Sequence, residues 1–211
     1  MSSSKIQLFT WGTPNGRKIS IALEEMNIPY DVHEINIGKG EQFDESFLVT
    51  SPANKIPAII DPEGDDGNSL PIFESGAILI HLAQKTGQFW STVPSRQSVI
   101  LQWLMWQVGN FGPSLGQLHH FRKFAKTKVP YAIGRFDGIA DQVYKVLDRR
   151  LATVEYVAED YSIADMSIYP WAARFEWQSI DLATYPNVKR WFDELSERPA
   201  VRRGMSVPFL N

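Results

Sequence analysis

The pattern of apolar residues changes near residue 87, and this change limits the folds that the chain can adopt. Before it, short segments of alternating apolar residues are interleaved with segments of helical spacing. After it, apolar residues recur at intervals of three and four, which is typical of helices that bury one face. The sequence therefore predicts a mixed α/β part followed by an all-helical part.

The first part follows the order β-α-β, a connecting helix, and then β-β-α. The predicted strands span residues 5–10, 29–37, 56–60 and 70–73. The predicted helices span residues 19–26, 43–49 and 75–85, and a turn is expected through Gly12 to Gly16. A parallel strand pair followed by an antiparallel hairpin is the order of a thioredoxin-like fold. We therefore predict an α+β thioredoxin-like domain over residues 1–86.

A short segment with glycine and proline, residues 87–94, is the predicted linker to an all-α C-terminal domain over residues 95–211. Long helices are expected at about 95–121 and 135–157, and another around Val188 and Trp191. Ser162 to Asp165 has the pattern of a capping box, which predicts that a helix begins there.

The composition argues against several classes of function. The 211 residues include no cysteine, which excludes disulfides, cysteine-bearing zinc sites and a protein thiol as nucleophile. The net charge of -3 gives no electrostatic reason to expect nucleic acid or an anionic membrane as a partner. No secretion signal or membrane span is read, so we expect a cytoplasmic protein. The adjacent His119 and His120 would point about 100° apart on a helix, and we expect no metal site.

Seven short motifs lie along the chain in a specific order. They are residues 13–19 (TPNGRKI), 38–43 (GKGEQF), 51–59 (SPANKIPAI), 73–78 (FESGAI), 101–107 (LQWLMWQ), 130–135 (PYAIGR) and 161–165 (YSIAD). With this order and spacing the chain resembles the cytosolic glutathione transferases over nearly its whole length. It is most similar to the nu class, whose members act largely as disulfide-bond oxidoreductases. The resemblance implies that the N-terminal domain binds glutathione.

The resemblance assigns two motifs to the ends of glutathione. It implies a cis peptide bond before Pro57, with the backbone of Ile56 pairing with the cysteinyl backbone like an added strand. It also implies that Ser75 binds the γ-glutamyl carboxylate and that Glu74 helps to hold the ammonium group. A helix N-terminus favours an anion, which suits this assignment. The residues alone would also allow a turn proline and an ordinary N-cap.

The resemblance places the glutathione sulfur near Thr13 and Asn15, which are therefore the candidate catalytic residues. A thiol with a pKa of about 8.5 is only a few per cent thiolate at pH 7, and lowering that pKa by two units takes about 2.7 kcal/mol. A hydrogen bond to the charged sulfur contributes about 1.5–3 kcal/mol, and a helix N-terminus up to about 1 kcal/mol. Both residues also suit a Pro-Asn-Gly turn, and which of them contacts sulfur is left open.

Three further residues are assigned only through the family pattern. Gln42 and Arg135 correspond to positions that serve the glycine end of glutathione or a second glutathione, and Lys55 assists. Exposed lysine, arginine and glutamine side chains are common, so each is equally compatible with a solvated surface.

Three functions follow from the resemblance, and all three use glutathione or its site. The first is a disulfide reductase in which a bound glutathione thiolate attacks a small disulfide and a second glutathione resolves the product. The second is conjugation of glutathione to an electrophile, with an apolar pocket near Trp11, Phe111, Phe121 or Phe124. The third is a non-catalytic binding protein on the same fold. The family pattern also implies a homodimer, with the helix after Ser95 at the contact.

Overall fold

The computed structural model describes residues 5–64 and 67–208, which form two compact units. The described residues up to Gln88, together with those from Arg198 onward, form the sheet unit. Residues Phe89–Glu197 form the helical unit. Each unit buries its own set of aliphatic and aromatic side chains, so each has its own core.

The sheet unit is built on a four-stranded mixed sheet with the strand order β2-β1-β3-β4. The strands are β1 (Ile6–Thr10), β2 (Tyr30–Glu34), β3 (Ala58–Asp61) and β4 (Leu70–Phe73). β1 pairs in parallel with β2 and antiparallel with β3, and β3 pairs antiparallel with β4. This topology confirms the predicted thioredoxin-like fold. The helices along this part of the chain are α1 (Pro14–Glu25), α2 (Glu45–Leu48) and α3 (Ser75–Thr86).

Helix α1 begins earlier than the sequence pattern predicts. We expected a turn through Gly16, whereas the helix starts at Pro14 with Thr13 as its N-cap. Proline suits the first helical position because its fixed φ is already helical and its missing N–H would have no partner there. The Thr13 hydroxyl accepts a hydrogen bond from the Gly16 N–H at 3.3 Å. Thr13 and Asn15 are therefore held in the first turn of a helix.

The helical unit contains the predicted long helices with shifted limits. Its helices are α4 (Pro94–Trp106), α5 (Gly112–His119), α6 (Pro130–Leu151), α7 (Ile163–Ala172), α8 (Phe175–Gln178) and α9 (Pro186–Glu197). The helix expected over 95–121 continues to Phe124, with π-helical turns at Gln107–Phe111 and His120–Phe124. The helix expected over 135–157 is α6, which starts at Pro130 because proline is favoured at the first position. No helix of the described residues has the length and apolar character that crossing a membrane requires.

The structure corrects one predicted domain boundary, because residues 198–208 belong to the sheet unit. We assigned everything from residue 95 onward to the helical domain, but helix α10 (Pro199–Met205) packs on α1 of the sheet unit. Gly204 makes this approach possible, since a Cβ there would lie 2.5 Å from Ile21 Cα and 2.6 Å from Ile21 N. The Ser20 hydroxyl donates to the Gly204 carbonyl at 2.6 Å, and Arg198 forms two hydrogen bonds to Glu25.

The close contact at Gly204 predicts a sensitive position. We expect Gly204→Ala to lower the free energy of unfolding by about 2 kcal/mol, because the added methyl group must push two helix backbones apart. Chemical denaturation measures this loss. Gly138→Ala in α6 is the matched control: a Cβ there meets nothing within 4 Å, so alanine should raise stability slightly. Equal effects of the two substitutions would contradict the packing of α10.

Candidate functional site

Most of the predicted binding residues line one narrow pocket in the sheet unit. Its walls come from the start of α1, the loop before β3 and the junction of β4 with α3. They are formed by Asn15, Ser51, Ala53, Lys55, Ile56, Pro57, Phe73, Glu74 and Ser75. Residues that are up to 60 positions apart in the sequence thus meet because the thioredoxin-like topology brings these three chain segments to the same place. The pocket itself is small, so it suits one polar end of a ligand.

The loop before β3 supplies one wall of the pocket. The Ile56–Pro57 peptide bond is cis, as the resemblance implied. The buried Ser51 hydroxyl donates to the Lys55 carbonyl at 2.7 Å and so holds the loop against the rest of the unit. Pro57 is buried, whereas Lys55 is exposed beside it. The main chain of Ile56 lies at the pocket, where an extended peptide could pair with it.

The junction between β4 and α3 supplies another wall. Glu74 has φ 69° and ψ 114°, a conformation that L-residues rarely adopt and that costs about 1–3 kcal/mol. This bend lets the helix begin at once with Ser75, which is buried at the first helical position. The Glu74 carboxylate remains exposed. An anion seated at this helix start would meet unpaired backbone N–H groups and the positive end of the helix dipole.

Lys18 is a feature of the site to which the sequence reading assigned no role. Its side chain is 1% exposed, and its Nζ donates to the Ser75 Oγ at 3.2 Å. Burial lowers the pKa of Lys18 to about 7, although the nearby charge of Glu74 raises it. The sequence does indicate that Lys18 is buried, because it lies four residues before Ala22 and so on the apolar stripe of α1. A lysine on a buried stripe needs a partner, and Ser75 is one.

The two candidate catalytic residues occupy different places in the first turn of α1. Asn15 lines the pocket, together with Glu74 and Ser75. The Thr13 hydroxyl oxygen accepts from the Gly16 N–H, so its hydrogen remains available for another acceptor. Neither observation decides which of the two contacts sulfur, so both remain candidates.

Gln42 and Arg135 do not line this pocket. Gln42 lies in the 3₁₀ turn Glu41–Phe43, and its Oε1 is buried with no hydrogen-bond partner among the described residues. Arg135 is exposed on α6 of the helical unit, where it borders a shallow surface depression with Tyr131 and Gln142. Their assignment to the glycine end of glutathione or to a second glutathione stays a prediction.

One residue proposed for an apolar acceptor pocket is placed elsewhere. Phe111 is fully buried and packs near the rings of Trp106 and Tyr144, so it belongs to the core of the helical unit. Phe124 is 62% exposed and Phe121 is half-buried, so these two remain available to a ligand. Within residues 5–64 and 67–208, histidine and acidic side chains form no group of three that could hold a metal ion.

Comparison with known proteins identifies the family. The family model "Glutathione S-transferase, N-terminal domain" matches residues 4–84, and "Glutathione S-transferase, C-terminal domain" matches residues 137–199. The chain is 46% identical to the disulfide-bond oxidoreductase YfcG of Escherichia coli K12, over 95% of this chain and 94% of that protein.

Solved structures agree with the sequence comparison. A glutathione transferase from Pseudomonas putida, with one glutathione disulfide bound per subunit, superposes with a TM-score of 0.93 at 39% identity, covering 97% of this chain and 92% of that one. A glutathione transferase from Burkholderia graminis, with two glutathione molecules bound per subunit, gives 0.92 at 40% identity, covering 98% and 90%. On these grounds the chain belongs to the glutathione S-transferase family.

Proposed function

We propose that this protein is a glutathione-dependent disulfide-bond reductase. The observation that carries the proposal is the pocket at the start of α3, where Ser75, Glu74 and the main chain of Ile56 converge in a chain that has no cysteine. Because the protein has no thiol of its own, the reducing sulfur must come from glutathione. The relative YfcG is named a disulfide-bond oxidoreductase, which supports this reading.

The polar groups of the pocket match the γ-glutamyl end of glutathione. Ser75 and the first N–H groups of α3 bind the carboxylate, and the exposed Glu74 carboxylate holds the ammonium group. The backbone of Ile56 pairs with the cysteinyl residue, which directs the sulfur toward Thr13 and Asn15. Lys55, at the rim of the pocket, and Gln42 and Arg135, outside it, bind the glycine end or a second glutathione.

The reaction consists of two thiol–disulfide exchanges. The bound glutathione thiolate attacks one sulfur of the substrate disulfide; a mixed disulfide forms, and the other substrate sulfur leaves as a thiolate and takes up a proton. A second glutathione thiolate then attacks the glutathione sulfur of the mixed disulfide. This step releases the second substrate thiol and forms glutathione disulfide. Structures of relatives that hold two glutathiones or one glutathione disulfide are consistent with this sequence.

We also propose that the protein is a cytoplasmic homodimer. Reduced glutathione and free thiols predominate in the cytosol, where this chemistry has its reductant. Symmetric dimers are the commonest oligomers, and Met105 on α4 leaves 47% of its surface exposed for such a contact. Light scattering on the purified protein measures its mass in solution.

Glutathione-dependent reduction of 2-hydroxyethyl disulfide tests the proposed function. Coupling through glutathione reductase reports the rate as NADPH consumption. We expect a rate well above that without protein, and unchanged by thiol-alkylating pretreatment of the protein, because it has no cysteine to block. A background rate with intact glutathione binding would favour conjugation to electrophiles instead. A background rate without glutathione binding would favour the non-catalytic binding protein.

A further inference from the structure

A buried lysine is hydrogen-bonded to Ser75 in the wall of the pocket. Lys18 is 1% exposed, and its Nζ is 3.2 Å from the hydroxyl oxygen of Ser75. Ser75 itself is 8% exposed and lies at the first position of α3, at the pocket wall. The lysine therefore lies one hydrogen bond away from the group that would contact a ligand carboxylate. Burying a lysine in a core is costly, so its presence here needs a reason beyond packing.

We propose that Lys18 is a positioning residue of the glutathione site, which orients the Ser75 hydroxyl and places a positive charge behind it for the γ-glutamyl carboxylate. The inference rests on the proposed function, since it assumes that this carboxylate binds at Ser75. The ammonium group of Lys18 donates to the Ser75 oxygen, so the Ser75 hydroxyl hydrogen is directed toward the ligand. Lys18 acts through Ser75 and does not itself have to reach the pocket.

The state of charge of Lys18 gives this role a measurable consequence. Burial lowers the pKa of Lys18 to about 7, so a large share of the free protein carries a neutral lysine at pH 8. A carboxylate bound at Ser75 favours the charged form and raises that pKa again. Ligand binding therefore takes up a proton at Lys18, and by linkage the affinity falls as the pH rises above 7.

Other ionisable groups lie on the elements around Lys18. The charge of Glu74 raises the pKa of Lys18 and only partly offsets the effect of burial. Further ionisable groups lie on α1 and on the two helices packed against it. They are Arg17, Glu24 and Glu25 on α1, His81 and Lys85 on α3, and Arg202 and Arg203 on α10. His81 and Lys85 bond to Asp61, and Arg203 bonds to Glu24.

Calorimetry of S-methylglutathione binding tests the inference at pH 8. Because its sulfur is methylated, this ligand has no thiol proton to release on binding. Titration in two buffers of different ionisation enthalpy gives the number of protons that binding takes up or releases. For the unmodified protein we expect an uptake of about half a proton or more per site, because a lysine with a pKa near 7 is mostly neutral at pH 8 and becomes charged when the carboxylate binds. Lys18→Arg is the matched control, because a guanidinium is charged at every pH used; any exchange that remains there belongs to the ligand amine.

Lys18→Met then measures what the charge contributes. The apolar side chain keeps a similar length, and we expect the affinity for S-methylglutathione at pH 7 to fall about tenfold, with recovery in Lys18→Arg. Should Lys18→Met fail to fold, proton uptake by the unmodified protein still decides the question. Binding with no proton uptake above the Lys18→Arg value would overturn the role of Lys18 and leave the proposed function standing. Failure of the unmodified protein to bind glutathione at all would overturn both.

Discussion

If Thr13 is the residue that contacts the glutathione sulfur, replacing it by alanine should lower the rate of disulfide reduction about 30-fold at pH 7. The Thr13 hydroxyl accepts from the Gly16 N–H, so its own hydrogen can stabilise a glutathione thiolate. A hydrogen bond to a charged group contributes about 1.5–3 kcal/mol, which corresponds to a shift in thiol pKa of one to two units. Losing it leaves only a few per cent of bound glutathione as thiolate. The pH–rate profile should move to higher pH by one to two units, as the thiol pKa does. The affinity for S-methylglutathione should change little.

Thr13→Ser is the matched control for this prediction. Serine keeps both the hydroxyl donor and the cap of α1, so the rate should stay within about threefold of the original. Thr13→Ala also removes the N-cap, at about 1 kcal/mol, so the assay should be run where the variant remains folded. Asn15→Ala completes the comparison: the substitution that displaces the pH profile identifies the residue that contacts sulfur. If neither moves it, thiolate activation by the first turn of α1 is wrong.

The local patterns of the sequence were sufficient to predict the sheet, whereas the pocket residues were predicted through the family resemblance. Alternation placed each of the four strands close to its observed position, and a parallel pair plus a hairpin leaves few topologies to consider. Taken alone, the motifs around Ile56 and Ser75 are each only weak evidence of a ligand-binding site. The fold makes them neighbours, and the family pattern supplied that proximity before the structure did.

Features that depend on long-range packing were not predictable in the same way. The place of Lys18 on the apolar stripe of α1 indicates burial, but nothing local points to its partner Ser75, which is 57 positions away. Helix α10 is only seven residues long, and its attachment to α1 depends on the absence of a side chain at Gly204. A periodic pattern shows which face of a helix is buried, but it does not show which element covers that face.

Replacing Asp165 by alanine should lower the free energy of unfolding by about 4 kcal/mol. Its carboxylate is fully buried and accepts from the backbone N–H groups of Val157 and Ser162 at 3.0 and 3.1 Å, and from Trp191 Nε1 at 2.9 Å. These bonds join the start of α7, the preceding loop and α9 inside the helical unit. Alanine would leave three buried donors without an acceptor. Urea denaturation at pH 8 measures the loss, above the pKa of about 6 to which burial raises the Asp165 carboxyl.

Three further variants separate this network from a general effect of lost charge. Asp193→Ala removes an exposed carboxylate on α9 that pairs with Lys189 one helical turn away, and it should cost less than about 0.5 kcal/mol. Trp191→Phe keeps an aromatic ring, removes one donor to Asp165 and leaves a cavity at this fully buried position, at a cost of about 2–3 kcal/mol. Because the double variant Asp165→Ala/Trp191→Phe has one orphaned donor fewer than Asp165→Ala alone, its loss should be smaller than the sum of the two. Strict additivity would mean that Trp191 does not depend on Asp165, contrary to the hydrogen bond that Trp191 Nε1 donates to the Asp165 carboxylate.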